Sequence, residues 1–236
     1  MTGPLVHPGD SPEWLRALVE ISGELDARTF TRFAPPSGTP TRAASVLVLF
    51  GEHAEHRPDV LLLRRAETLG SHAGQVAFPG GGAEAGDDGP VDTALREAEE
   101  ETGVDRSGVR PVAVLPELYV PVSGFAVTPV LAHWQEPSPV GPVDPAETAA
   151  VARVPVDALA DPANRFQVRR PGGGWKGPAF EVEGLFVWGF TAGLLSVLLN
   201  LAGWEREWDH TDVRDLDVAL AEHEARTRRR SGRSAS

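Results

Sequence analysis

The sequence predicts an α/β fold. Three observations carry that prediction. Short apolar runs bounded by Gly, Pro and polar clusters recur at residues 45–50, 60–64, 109–119 and 125–134, which is how strands read. Only a few segments carry helical periodicity, and they alternate with those runs. The composition is ordinary for a globular chain, with 41% hydrophobic and 24% charged residues in 236 positions, enough to close a core as one domain with additions.

Residues 1–44 read as an N-terminal helix and a linker. Ser11 is placed to cap that helix with Pro12 at its first position, and Trp14, Leu15, Leu18 and Val19 form its apolar stripe. Residues 33–41 are rich in Pro, Gly and Ser and read as the linker. The main domain is expected over residues 45–203. It starts with two strands, 45–50 and 60–64, joined by a polar loop. A helix over 93–102 follows, capped by Asp92 and stopped by Gly103, where positive φ costs little. Strands over 109–119 and 125–134 come next, then a Pro-rich surface loop over 135–144. Residues 204–226 read as a helical extension, with the helix itself over 211–226. Residues 227–236, basic and polar, read as a disordered tail.

Residues 184–204 contain no charged side chain, long enough to be considered as a membrane span. Thr191, Ser196 and Asn200 interrupt the apolar surface, and Gly189 breaks the run. A buried strand over 185–188 and a core helix over 190–201 fit better, so no stable membrane insertion is expected. The net charge of −12 argues against a nucleic-acid surface, which needs a basic footprint. There is no cysteine, hence no disulfide, thiol nucleophile or zinc–thiolate site. The N-terminus lacks the basic start and apolar run of a secretory signal, and a cytoplasmic location is expected.

The stretch most loaded with chemistry is FPGGGAEAGDDGPVDTALREAEEETGV, residues 78–104. Glu97, Glu100 and Glu101 sit at i, i+3 and i+4 and share one helix face, while Leu95, Ala98 and Thr102 point to the core. Carboxylates at that spacing repel one another, a cost that bound cations relieve. Hard oxygen donors suit Mg²⁺ or Mn²⁺ better than zinc. On its own such a run also reads as a solvated face. The glycines upstream, Gly80, Gly81 and Gly82, shift the balance, because they let backbone approach a phosphate or a metal closely.

This stretch resembles the Nudix box, G-x5-E-x7-R-E-U-x-E-E-x-G-U, where U is a bulky apolar residue. Arg96, Glu97, Ala98, Glu100, Glu101, Gly103 and Val104 fill its second half, with Ala98 small for its position. In the first half, Gly81 and Asp87 fit with one extra residue before Arg96, while Gly82 and Asp88 fit the standard spacing. The first pair is favoured, because the coenzyme A branch of the family carries the longer spacing. Residues 61–81, LLLRRAETLGSHAGQVAFPGG, are similar to the signature LLTxR(S/A)x3Rx3Gx3FPGG of that branch. Leu61, Leu62, Arg65, Ala66, Gly74, Phe78, Pro79, Gly80 and Gly81 match. Leu63 replaces the Thr, and Gly70 replaces the second Arg, removing one potential phosphate contact. Residues 119–132 and 184–199 also look like this branch.

The resemblance implies a Nudix-type α/β/α sandwich with a mixed β-sheet and metal-dependent hydrolysis of a pyrophosphate bond. It implies coenzyme A or acyl-coenzyme A as substrate, giving 3′,5′-ADP and (acyl-)4′-phosphopantetheine. ADP-ribose, NADH or a non-catalytic nucleotide-binding module are the alternatives. Glu97, Glu100 and Glu101 are the expected metal ligands, with the Gly81 carbonyl as a further donor. Arg96 is expected to orient a glutamate, or to pair with Glu100. Glu97 and Glu147 are both candidates for the general base. Arg65, Phe78, Gly80 and Gly81 are the substrate-side candidates, with Tyr119, Ser123 and Phe125 at the margin and His72 assigned to a turn. Dimers are common among similar proteins; the N-terminal helix, Trp204 and Trp208 could serve an interface or equally the core.

Overall fold

Along residues 47–50, side chains alternate between two separate cores. Leu47 and Leu49 belong to one, Val48 and Phe50 to the other. The strand that carries them is therefore covered on both faces, and the molecule is layered about it. The computed structural model describes residues 2–53, 57–68, 73–170, 172 and 175–234.

The chain begins with β1 (Gly3–Pro4), α1 (Glu13–Ile21) and the short α2 (Ala27–Phe30), then forms β2 (Arg42–His53) and β3 (Arg57–Arg65). β4 (Val76–Ala77) and β5 (Gly80–Gly82) precede α3 (Pro90–Thr102), which is followed by β6 (Val109–Val114), β7 (Leu118–Val120), β8 (Phe125–Trp134) and β9 (Thr148–Pro155). The remainder is α4 (Val156–Ala160), β10 (Arg165–Arg169), β11 (Lys176–Val182), β12 (Leu185–Val187), α5 (Gly189–Leu201), β13 (Val213–Asp215) and α6 (Leu216–Ser234).

The main sheet runs β1-β6-β8-β2-β3-β4, with β5 added on β2, β7 on β8 and β9 on β3. It is mixed: β2 and β8 are parallel from Arg42↔Phe125 to Phe50↔His133, and β2–β3, β3–β9 and β6–β8 are antiparallel. On one face Ala94, Leu95 and Ala98 of α3 pack on Leu47, Leu49, Leu61, Val130 and Trp134. On the other, Leu15 and Leu18 of α1 and Leu194, Leu195 and Leu198 of α5 pack on Val48, Phe50 and Leu62. This is the expected α/β/α sandwich.

A second, four-stranded sheet, β12-β11-β10-β13, lies beyond α5 and was not anticipated as a separate sheet. Its residues alternate as well. Phe180, Val182, Leu185 and Val187 join the core around α5, whereas Phe166, Ala179 and Phe186 meet Leu216 and Ala219 of α6. Thus α5 sits between two sheets, which explains its lack of charge. No described helix is long and apolar enough to cross a membrane.

Several boundaries differ from the sequence reading. Helix α3 starts at Pro90 rather than after Asp92, because Pro90 fits the first turn, and Asp92 lies inside that turn. Pro12 is the residue flanking α1, and the Ser11 hydroxyl is buried without a hydrogen bond rather than capping. The run 109–119 divides into β6 and β7. Residues 213–215 are a strand, and α6 runs from Leu216 to Ser234, past Arg226. Arg favours helix, and the i,i+4 pair of Arg228 with Glu224 at 2.7 Å supports the turn beyond Arg226. Trp204 packs edge-on against Phe50 at 5.4 Å and Trp208 is 6% exposed, so both serve the core in this chain.

Candidate active site

The site forms where α3 crosses the glycine strand β5. In register with β2, Gly80 opposes Val46, Gly81 opposes Ser45 and Gly82 opposes Ala44. Glycine is required here for space. A Cβ at Gly81 would overlap the Glu97 carboxylate, and one at Gly80 would overlap the Ser45 carbonyl. The glycines therefore bring backbone directly against two glutamates.

Glu101 is the most buried of these acids, its side chain 10% exposed. Its Oε2 accepts the Gly80 N–H at 2.9 Å, and its Oε1 lies 3.6 Å from Arg65 Nη1. Burial pushes its carboxyl up to about 7, against the opposing pull of Gly80 and Arg65. Burial raises Glu97 as well, and Arg96 opposes that shift. The two acids that face the glycines are thus costly to ionise without a cation.

Arg96 organises the other side. Its Nε and Nη2 grip Asp87 at 2.9 and 3.1 Å, and Nη2 also reaches the Gly82 carbonyl at 3.0 Å. Its Nη1 donates to Glu97 at 3.0 Å and Glu100 at 3.1 Å. That grip holds the Asp87 carboxyl well below the usual carboxylate range. Of the two acidic positions left open by the sequence, the arginine takes Asp87, whose carboxylate also accepts from Thr93 and from the Glu84 N–H. The fork on Asp87 was not foreseen; contact with a glutamate was, with Glu100 named as the i,i+4 partner. The helix ends at Gly103 with φ 68, as expected.

The remaining candidates fall unevenly. Arg65 ends β3 at a register shift between Arg64 and Arg65 and lies beside Glu101. Glu147 is exposed and adjoins that strand end, its carbonyl accepting the Ala66 N–H at 2.8 Å, and its charge acts on Glu101. Glu100 stays on the rim, its side chain 59% exposed. Phe78 is 2% exposed and belongs to the core cluster with Val48, Leu62 and Val76. Ser123 serves its own turn through Phe125 N–H, and Arg42 stacks over Phe125 at 4.1 Å. Gly70 and His72 lie outside the described residues.

The donor chemistry fits a hard divalent cation: the site offers carboxylates and backbone carbonyls, with no nitrogen or sulfur ligand among the described residues. As placed, the side chains do not close a cage, for among the described residues no three or more His, Cys, Asp or Glu converge to hold a metal. The reason is visible in the contacts: Glu101 is turned to Gly80, and Arg96 draws Glu97 and Glu100 toward itself.

The NUDIX domain family matches residues 39–172, more than half of the chain. The chain belongs to the Nudix family. A Nudix hydrolase of Pectobacterium atrosepticum, named uncharacterized NudL, is 38% identical over 182 residues, covering 71% of this chain and 90% of the relative. Nudix hydrolase 15, mitochondrial, from Arabidopsis thaliana is 33% identical over 172 residues, covering 68% of this chain and 58% of its own length. A crystal structure of RenU, a Nudix hydrolase from M. smegmatis, covers 69% of this chain and 86% of its own at 21% identity, with a TM-score of 0.46. The protein is a Nudix pyrophosphohydrolase, and Nudix hydrolases generally need divalent metal ions. Its substrate is a small nucleotide.

Proposed function

We propose that this Nudix hydrolase cleaves the pyrophosphate of coenzyme A or acyl-coenzyme A, releasing 3′,5′-ADP and (acyl-)4′-phosphopantetheine. One observation carries the reading. The segment that resembles the coenzyme A signature and the Nudix helix meet at a single side chain, Glu101, which contacts both Arg65 and Gly80. The recognition segment and the catalytic helix thus share one centre.

In this reading Glu97, Glu100 and Glu101 hold Mg²⁺ or Mn²⁺, with the Gly81 carbonyl as a further donor. The bound cation supplies charge neutralisation on phosphoryl oxygens and makes a water more acidic. Everything else is work for the chain itself. Arg96, anchored on Asp87 and the Gly82 carbonyl, fixes the Glu97 carboxylate and stops it swinging into solvent. The glycine strand brings backbone within reach of the phosphates. Arg65 presents a guanidinium to the pyrophosphate. Glu147, exposed beside Arg65, or Glu97 takes the proton of the attacking water. The enzyme is proposed to work in the cytoplasm, as a monomer or a homodimer.

The test is product analysis with Mg²⁺ or Mn²⁺ on coenzyme A, acetyl-coenzyme A, ADP-ribose and NADH side by side. Release of 3′,5′-ADP well above turnover of the other two supports the reading. Preference for ADP-ribose or NADH replaces it with a different nucleoside diphosphate substrate, in keeping with Gly70 where the signature has Arg. Tight metal binding with no turnover of any of the four turns the assignment toward a nucleotide-binding module.

A further inference from the structure

The end of β3 holds a cation whose hydrogen-bonding capacity is poorly used. Arg65 Nη1 stands 3.6 Å from Glu101 Oε1, an ion pair too long for a hydrogen bond. Its Nε is buried and has no acceptor among the described residues. A buried N–H without an acceptor is costly and seldom kept without a reason. Arg65 sits at a register shift at the end of β3, with its guanidinium beside Glu101 of α3. Three negative groups act there together, since the charges of both Glu97 and Glu147 bear on Glu101.

We propose that Arg65 is an exchange cation: it neutralises Glu101 in the metal-free enzyme and, once a divalent cation takes that role, transfers to the pyrophosphate of the substrate. This deepens the pyrophosphohydrolase reading and rests on it, but not on the choice of coenzyme A. The physical logic is a matter of charge. A divalent cation on Glu101 satisfies the carboxylate and repels the guanidinium. Arg65 cannot discharge itself by losing a proton, because arginine stays charged in proteins. It therefore needs another anion, and its free Nε with one Nη forms the fork that matches two phosphate oxygens. Metal and pyrophosphate then strengthen each other's binding beyond their direct contact, and the strengthening must be reciprocal.

The experiment compares wild type, Arg65→Gln and Arg65→Lys. Mn²⁺ is titrated alone, followed by electron paramagnetic resonance of the free ion, and then with methylenediphosphonate as a non-hydrolysable pyrophosphate. With the competing cation removed, Arg65→Gln should bind Mn²⁺ several-fold more tightly. It should also bind methylenediphosphonate at least tenfold more weakly, and KM for whichever pyrophosphate substrate is turned over should rise more than kcat falls. Arg65→Lys should lie between the two in both measurements. In a Glu101→Gln background, Arg65→Gln should leave Mn²⁺ affinity unchanged. Unchanged or weaker Mn²⁺ binding by Arg65→Gln would show a supporting role and overturn the proposal. Tighter Mn²⁺ with unaltered methylenediphosphonate binding would also overturn it, leaving Arg65 as a counter-ion only. Because the Mn²⁺ arm uses no substrate, failure of the coenzyme A reading is distinguishable from failure of this one.

Discussion

Helices α3 and α5 are both thirteen residues long and lie on opposite faces of the same sheet, yet they are built for different purposes. Helix α3 is covered on one side only. Its Leu95, Ala98 and Thr102 are buried while Glu97 and Glu101 lie against a strand of bare glycine backbone. Helix α5 carries no charge and is enclosed by the main sheet on one side and the second sheet on the other. Two of its three polar side chains are bonded to neighbours: Ser196 accepts from Arg165 at 3.0 Å and Asn200 donates to Glu205 at 2.8 Å. The contrast separates the two jobs of a helix in this molecule. Stability comes from the helix covered twice, and chemistry from the helix left half open, where costly buried charge is kept for use.

That division can be broken from either side. The largest effect should come from Glu101→Gln, which removes the most buried acid of α3. Turnover should fall on the order of a thousandfold, corresponding to several kcal/mol of lost transition-state stabilisation. The thermal midpoint of the metal-free protein should not fall, because a neutral amide is easier to bury than a carboxylate; activity within tenfold of wild type would sink the assignment. In α5, Leu198→Ala should do the reverse. A denaturant melt should show a loss of about 2–5 kcal/mol, while kcat of the folded enzyme at low temperature stays near wild type. A large drop in kcat there would mean that α5 is not merely a support.

A finer probe is Gly81→Ala. Its methyl group would displace the Glu97 carboxylate, and misplacing a catalytic group by about 1 Å can cost up to ~100-fold in rate. Full activity would show that Glu97 can work from elsewhere. The smallest effect is expected far from α3, at Glu181 on β11. Burial opposes ionisation of this carboxyl, but hydrogen bonds from His223 and Arg226 outweigh it and leave it below its ordinary 4.5. A carboxyl depressed in the folded state contributes stability that is present above that ordinary value and lost as pH falls through the folded one. Glu181→Gln should therefore flatten the acid limb of the stability–pH curve by under about 1 kcal/mol and leave neutral-pH activity unchanged. An unaltered acid limb would remove Glu181 from the account.

How much of this was legible beforehand differs by element. The strand over 125–134 appears as β8 with the same limits, because its run is long, apolar and bounded by turns. The charge-free segment was separable into strand and helix from Gly189 alone, although what covers the helix was not. The carboxylate face of α3 and its glycine neighbours were legible because spacing along one helix is a local property. The Asp87–Arg96 fork was not legible: the sequence favoured Asp87 over Asp88 as the acidic position, but only the loop between β5 and α3 brings it to Arg96. The burial of Phe78 was not legible, because a motif position says nothing about which side chains a core takes up.

What could be read along the chain is local: an α/β pattern, a helix with Glu97, Glu100 and Glu101 on one face, glycines ahead of it, and an arginine beside it. Those features follow from backbone periodicity and residue chemistry, which neighbours in the chain suffice to define. That a second sheet closes over α5 emerges from the three-dimensional fold. It alone brought Arg65, remote in sequence, to Glu101, and it turned Arg96 toward Asp87. These depend on pairing between distant strands and on which side chain wins a shared cation. Such contacts are settled by packing and charge balance across the whole molecule, not by any single stretch of the chain.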